Sequence, residues 1–245
     1  EMQRSLVGSE MCIRDRFTPS YFSKRSGFVI NQLSGGGCEH MGNFPTFPVK
    51  GKLKMSPDNI LNYRINISEE KGHAGYYEAM VQEDIKAKLT VTERTGMASY
   101  EYPADQQYGT VIIGGGISAT PIEQAAIVIT APNKCEGYAE GGNFCGLRTP
   151  YKVYFVAEFD TDALESGTWK RNELKPNTTF AEGEYSGVYF TFDVNKKKNI
   201  QYKIGVSYVS VENARENLKA ENTGWDFLQI QNQAESVSYT HLRAH

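Results

Sequence analysis

Residues 85–92 read Ile85-Lys86-Ala87-Lys88-Leu89-Thr90-Val91-Thr92, a strict alternation of apolar and polar side chains. A period of two puts the apolar set on one face of an extended chain and the polar set on the other, which is the pattern of a half-buried β-strand. Working outward, similar alternation or short apolar runs rich in β-branched and aromatic types recur at Gly27–Ile30, Gly75–Val81, Ala98–Tyr102, Thr110–Ile113, Ala125–Thr130, Lys152–Phe159, Gly187–Phe192 and Asn199–Val209. Turn residues separate them. Helical periodicity is almost absent. The exception is Ser210–Asn222, where Ser210 is placed to cap, Val211, Ala214 and Leu218 share a face, and Gly224 lies just beyond the end. Many strands, one late helix, and 2 Trp, 15 Tyr and 12 Phe predict an all-β domain: a two-sheet antiparallel β-sandwich with one C-terminal linker helix.

Glycine runs interrupt this pattern. Val111-Ile112-Ile113-Gly114-Gly115-Gly116-Ile117-Ser118-Ala119 superficially resembles a dinucleotide-binding turn. That chemistry needs a helix to open at the glycines, so that its N-terminal amides meet the pyrophosphate. Pro121 and the return to a strand at Ala125 leave no room for one, which predicts a glycine-rich β–β connection. The second run lies in Gln32-Leu33-Ser34-Gly35-Gly36-Gly37-Cys38-Glu39-His40-Met41-Gly42-Asn43-Phe44-Pro45. Each glycine would cost about 0.5–1 kcal/mol inside a regular element, so the segment is a loop. It lacks the Gly-Lys-Ser/Thr ending of a phosphate cradle. Cys38, Glu39 and His40 are adjacent side chains that do not converge easily on one metal ion. A structural loop and the edge of a ligand site both remain open from the residues alone.

Composition narrows the function classes. A formal net charge of −3 gives nothing to recruit nucleic acid, and the basic run Lys196-Lys197-Lys198 reads as a solvated turn between strands. No apolar run approaches the roughly 18 residues that a membrane helix needs. The cysteines are Cys12, Cys38, Cys135 and Cys145, with no C-x-x-C pair, which argues against a zinc knuckle. Gly137, Gly141 and Gly142 between Cys135 and Cys145 leave open a hairpin that would bring those two thiols within bridging distance.

The two ends carry a coincidence that protein physics does not explain. Met11-Cys12-Ile13-Arg14-Asp15 written as ATG TGT ATA AGA GAC has the reverse complement GTC TCT TAT ACA CAT, which encodes Val237-Ser238-Tyr239-Thr240-His241. Val7-Gly8-Ser9-Glu10 stands in the same relation to Leu242-Arg243-Ala244-His245. The expectation is that residues 1–16 and 236–245 are tails translated from a DNA linker attached in opposite orientations, and they are set aside from fold reasoning. What remains divides into a sandwich over residues 17–209 and the start of a helical linker over 210–235.

Ordered motifs along this remainder resemble glycoside hydrolase family 92, the calcium-dependent exo-α-mannosidases. Gly27-Phe28, then Leu33-Ser34-Gly35-Gly36-Gly37-Cys38 and Gly42-Asn43-Phe44-Pro45-Thr46-Phe47-Pro48, are similar to the family's G-F…H-L-S-G-x-G-C segment and the D/N-F-P stretch after it. Gly75-Tyr76-Tyr77 followed by Ile85–Thr92 resembles its G-Y-Y…I-x-A-x-L-T-x-T. Gly142-Asn143-Phe144-Cys145-Gly146 leading to Val153-Tyr154-Phe155 resembles F-C-G…V-Y-F, and Gly205–Leu218 resembles I-S-Y-V-S-x-x-x-A-x-x-N-L. Gln32 stands where the family usually has histidine, and Asn43 where an acid is often found.

The resemblance implies the N-terminal β-sandwich domain of an inverting exo-α-mannosidase, followed by a helical (α/α) barrel. Inversion calls for one carboxylic acid to protonate the leaving oxygen and a second carboxylate to activate water. In the family those groups and the ligands of a calcium ion lie on the helical domain, so this chain is expected to hold no catalytic residue, no metal ligand and no cofactor of its own. Its contribution would be a pocket rim at the domain interface, with Phe28, Gln32, Ser34, Gly35, Gly36, Gly37 and Cys38 as the substrate-binding residues. The implied partners are α-mannoside glycans and the intramolecular helical domain, and the implied location is periplasmic, cell-surface or secreted. The competing class is a non-catalytic, lectin-like carbohydrate-binding sandwich, for which Trp169 or the Tyr76–Tyr77 pair would supply an exposed aromatic platform.

Overall fold

The computed structural model describes residues 27–33, 40–57, 67–116, 118, 121–144 and 146–242, the side chains of 32, 33, 40, 144 and 237–242 excepted. In chain order its strands begin with β1 (Gln32–Leu33), β2 (His40–Met41), β3 (Thr46–Lys50), β4 (Ile67–His73), β5 (Tyr76–Val81), β6 (Ile85–Val91), β7 (Thr95–Glu101) and β8 (Tyr108–Gly114). They continue with β9 (Ile122–Ala131), β10 (Lys134–Phe144), β11 (Leu147–Phe159), β12 (Glu165–Lys170), β13 (Glu173–Pro176), β14 (Phe180–Glu182), β15 (Ser186–Asp193) and β16 (Asn199–Ser207). Two helices follow, α1 (Val211–Glu221) and α2 (Phe227–Leu242). A nine-stranded sheet in the order β14-β9-β10-β11-β16-β7-β6-β5-β4 packs on a five-stranded sheet in the order β13-β12-β15-β8-β3, with β1 and β2 as a separate ribbon. The pairing is antiparallel in both sheets, as the alternation predicts.

The core lies between the sheets. Phe159 and Tyr202 of the larger sheet meet Phe190 and Phe192 of the smaller, with ring centroids 4.9, 5.0 and 5.3 Å from Phe159. All four rings are buried, each contributing about 1.5–3 kcal/mol relative to exposure. In β6, Ile85 and Ala87 face this core with no exposure while Lys86 and Lys88 point outward. Thr90 breaks the expected pattern: it lies on the outer face yet is buried, its hydroxyl donating to Gly75 O at 2.7 Å. The reason is that α2 covers β5, β6 and β7 on that side.

The helix predicted after residue 209 starts at Val211, with the Ser210 hydroxyl accepting from Asn213 N as its N-cap. It packs Ala214 and Leu218 against Val156 on the outer face of the larger sheet. Beyond it, Trp225, Phe227 and Ile230 fold back on the sandwich. Trp225 lies under the Lys203 ammonium at 4.5 Å, Phe227 makes an edge contact with Tyr76 at 6.3 Å, and Ile230 is buried.

Further expectations are corrected. Gly27–Ile30 is not a strand. It makes a single bridge, Phe28 to Thr46; in that antiparallel register Ile30 would face Phe44, whose φ of 56° takes it out of extended backbone. Cys135 is a free, fully buried thiol. The glycines after it lie inside β10, which runs from Lys134 to Phe144 without turning, and a strand of that length separates its ends by about 30 Å. That removes the hairpin that would have brought Cys145 to it. The Lys196–Lys198 run is a turn as expected, with Lys197 paired to Asp160 at 2.7 Å.

Two outcomes follow from this packing. A Cβ on Gly187 would lie 2.2 Å from the Trp169 ring and 2.4 Å from Ile113 O, so Gly187→Ala should cost more than about 2 kcal/mol in urea denaturation, as overpacked core sites do. Burial, with Glu136 beside it, raises the Cys135 thiol well above its ordinary pKa. Peptide mapping after alkylation should therefore find Cys135 unlabelled in native protein at pH 8 and labelled in denaturant.

Candidate functional site

The strand registers bring segments that are distant in sequence to one end of the sandwich. The C-terminal ends of β8, β10 and β16 lie beside the N-terminal ends of β3, β9, β11 and β15. Residues 43–45 tie the two sheets together there: Pro45 O accepts from Gly114 N at 2.9 Å, and Asn43 Oδ1 accepts from Tyr151 Oη at 2.8 Å. The Gly114–Gly116 run is a close backbone crossing. The Gly116 amide donates to Ser186 O at 2.9 Å, and a Cβ on Gly116 would lie 1.9 Å from Gly183 O. Its glycines serve the approach of two chains, in agreement with a β–β connection.

Beside this crossing, the chain makes an unusual turn after β2. Met41, Gly42 and Phe44 have φ of 62°, 76° and 56°. Left-handed backbone costs a non-glycine residue about 1–3 kcal/mol and persists where its surroundings over-determine it. Here they do. Asn31 O accepts from Gly42 N at 2.9 Å, Asn31 Oδ1 accepts from Asn43 N at 2.9 Å, and Asn31 Nδ2 donates to Asn43 Oδ1 at 3.1 Å. Phe44 packs at a tilt on Phe155 with centroids 4.2 Å apart, and the Tyr208 hydroxyl donates to Met41 Sδ at 3.3 Å. Asn31 and Asn43 are both buried, and among the described residues Asn43 Nδ2 has no partner.

The residues predicted for the rim separate into groups. Phe28 is a core residue at 6% exposure, its ring between Tyr77 and Tyr100 with centroids 6.1 and 6.4 Å away. Its position anchors the segment rather than presenting the ring. Gln32 pairs with Met41 in the β1–β2 ribbon, its side chain outside the described residues. Ser34, Gly35, Gly36, Gly37 and Cys38 lie outside the described residues. Asn31, Tyr151 and Tyr208 were missed by sequence reasoning. The available signal was Asn43 itself, a polar residue directly before Phe44-Pro45, which at 1% exposure must find partners.

Two described carboxylates at this end, Glu123 and Glu140, are paired. Glu123 accepts from Arg148 Nε and Nη2 at 2.9 and 2.8 Å, and these hydrogen bonds hold its pKa below the ordinary carboxylate value. Glu140 lies 3.5 Å from Lys152, whose ammonium sits 4.0 Å over the Tyr138 ring. The aromatic residues considered for a lectin-like platform are not available as one. Trp169 is 1% exposed, packed with Phe47, Val49, Ile112 and Tyr189. Tyr77 is buried with its hydroxyl on Glu70 at 2.9 Å, and Tyr76 donates to Glu78 at 2.8 Å.

Residues 20–207 match the glycosyl hydrolase family 92 N-terminal domain. The chain belongs to this family. It is 24% identical over 241 residues to a secreted glycosidase of Arthroderma benhamiae, itself uncharacterized, with 88% of this chain and 31% of that protein covered. Among solved structures it superposes on a family 92 α-mannosidase of Bacteroides thetaiotaomicron with a TM-score of 0.74 and 23% identity, over 86% of this chain and 30% of that one. An inverting family 92 mannosidase from the same organism gives a TM-score of 0.68 at 23% identity, over 80% of this chain and 26% of that one. The chain thus spans about a third of the length of the relatives it matches.

Within family 92 terms, then, this chain is the N-terminal sandwich, and its gathered loops form one end of it. The burial of Trp169 has a direct readout. With Trp225→Phe leaving Trp169 as the sole tryptophan, emission should be blue-shifted, resistant to acrylamide quenching and unchanged by millimolar mannose, because a ring without solvent contact has no face for a sugar. A mannose-dependent shift would restore the lectin-like reading.

Proposed function

We propose that this chain is the N-terminal domain of an inverting, calcium-dependent exo-α-mannosidase, and that its gathered loops form the rim of a sugar pocket completed by a helical catalytic domain. The observation that carries the reading is the convergence, in a family 92 domain, of residues 41–45, 114–116, 141–144 and 146–151 at one end, with the strained turn at 41–44 among them. Strained backbone held by buried hydrogen bonds is characteristic of ligand-contacting segments. Pockets also favour domain interfaces.

Hydrolysis with inversion requires a general acid whose pKa is raised and a separate base. Glu123 has its pKa lowered by Arg148, so it stays ionised at neutral pH and does not donate the proton. Among the described residues no group of three or more His, Cys, Asp or Glu is arranged to hold a metal ion, so these residues do not fit a calcium site. In the proposal the acid, the base and the calcium ligands belong to the helical domain, while this chain orients the sugar and excludes water. The secreted relative supports an exported location for the whole protein, whether secreted, periplasmic or on the cell surface.

The test is the full-length reading frame, recovered from the source DNA and assayed on an aryl α-mannoside, with the product anomer followed by NMR. Turnover with inversion, lost on chelation and restored by calcium, is expected of the full-length protein, and no turnover of the present chain. Hydrolysis by the present chain alone, abolished by changing one of its own carboxylates, would overturn the reading.

A further inference from the structure

We propose that Asn177 accepts an N-linked glycan, which covers the edge of the sandwich formed by β13 and β14, an inference that rests on the exported location proposed above. Asn177-Thr178-Thr179 has the asparagine, the non-proline residue and the hydroxyl of an N-glycan acceptor. The fold puts this triplet where a glycan can be carried. It forms the link between β13, the last strand of the five-stranded sheet, and β14, the last strand of the nine-stranded one. Asn177 has a φ of 60°, a left-handed conformation that asparagine tolerates better than most residues. Its N–H donates to Ser166 O at 3.0 Å, and Thr179 O accepts from Ile129 N at 2.8 Å. The Thr178 hydroxyl donates to Lys175 O at 2.8 Å and lies 2.7 Å from the Thr168 hydroxyl. Backbone and Thr178 thus hold the turn. Asn177 and Thr179, whose side chains the modification needs, are both exposed.

Edge strands present unpaired N–H and C=O groups to other chains, and charged residues or proline blunt them. β13 carries such protection in Glu173, Lys175 and Pro176. In β14 the exposed side chains are Glu182 and Phe180, the latter at 54% exposure and directly after the triplet. A glycan is bulky and hydrophilic, so one carried at Asn177 shields both the edge and this ring. It also leaves the proposed rim open. Ile129, which bonds Thr179, lies seven residues along β9 from Ile122 at the gathered end, roughly 23 Å away. In the covalent step, Asn177 Nδ2 bonds to C1 of the first sugar of a lipid-linked oligosaccharyl diphosphate. The C1–O bond to phosphate breaks, the lipid diphosphate leaves with the electron pair, and the amide nitrogen loses one proton. Asn66-Ile67-Ser68 is the other triplet of this kind in the sequence, and Asn66 lies outside the described residues.

The test uses the present chain secreted from yeast behind a leader peptide, with its tryptic peptide 172–196 analysed by mass spectrometry before and after enzymatic glycan release. Asn177 should carry a glycan, Thr179→Ser should keep it, and Thr179→Ala should lose it, because the acceptor needs the hydroxyl. A secreted chain with Asn177 bare would overturn the proposal. In sedimentation velocity at equal concentration, Thr179→Ala should shift from monomer toward larger species, and Thr179→Ala with Phe180→Ser should return to monomer. Near-UV circular dichroism matching the parent's checks that both variants fold. A folded Thr179→Ala chain that lacks the glycan and stays monomeric would overturn the shielding role. The full-length reading frame, expressed with its own N-terminus in the same host, tests the exported location separately. Retention in the cytosol would remove that reading and the glycan with it, whereas export with Asn177 bare would remove the glycan alone.

Discussion

The larger sheet has nine strands and the smaller five, and this mismatch constrains the rest of the structure. Five strands cannot cover nine, so the inner face of β5 to β7 would be left in water beyond the edge strand β3. The segment before β3 closes the gap. Phe28 enters between Tyr77 of β5 and Tyr100 of β7, and a Cβ on Gly96 would lie 2.6 Å from the Ile30 side chain. Phe44 completes the plug against Phe155. The segment that the core needs most is thus also the one that carries the strained turn at Met41–Phe44.

The opposite face of the same sheet is closed by the two helices, and their joint is fastened as firmly as the plug. Glu221 at the end of α1 accepts from the Thr92 hydroxyl at 2.6 Å and from Arg94 N at 2.9 Å. Lys203, buried on β16, donates to Asn222 O at 3.1 Å, where a cation favours the helix C-terminus. Burial lowers the Lys203 pKa, and the nearby Glu158 opposes that shift. A cation placed here needs acceptors to offset lost hydration, and it finds a helix carbonyl and the Trp225 face. The chain thus leaves the sandwich along a fixed path, so α2 begins already docked on β5 to β7.

How much of this was legible in the sequence follows from where each residue sits. Strands such as β6, β11 and β15 have one face on the core and show it as alternation or as an apolar run. The strands that escaped notice are those for which the core does not set the pattern. The edge strand β4 is charged and largely exposed (Ser68-Glu69-Glu70-Lys71), as suits an edge that must not pair with another chain. In β10, Gly137, Gly141 and Gly142 occupy positions where a side chain would strike neighbouring backbone, so glycines that read as a hairpin signal are close-packing sites in a long strand. The motifs around Ser34–Cys38 pointed to the correct family, yet of the residues that shape this end Asn31 is joined to it across twelve positions, and Tyr151 and Tyr208 across more than a hundred. No local pattern announces such contacts.

The two described carboxylates at this end, Glu123 and Glu140, are each set against a cation. A carboxylic acid that must donate a proton near neutral pH needs burial in apolar surroundings or a neighbouring negative charge to raise its pKa. Glu123 has the reverse, a bidentate guanidinium that favours the ionised form, and Glu140 faces the Lys152 ammonium. What this end possesses instead is shape: backbone crossings too tight for a side chain at Gly116, a turn forced into left-handed conformation, and buried amides that hold it. Among the described residues, then, the order at this end comes from backbone geometry and not from a carboxyl group tuned to hold a proton. Proton donation and backbone order are thus separable demands, and the described residues at this end of the family 92 domain meet the second.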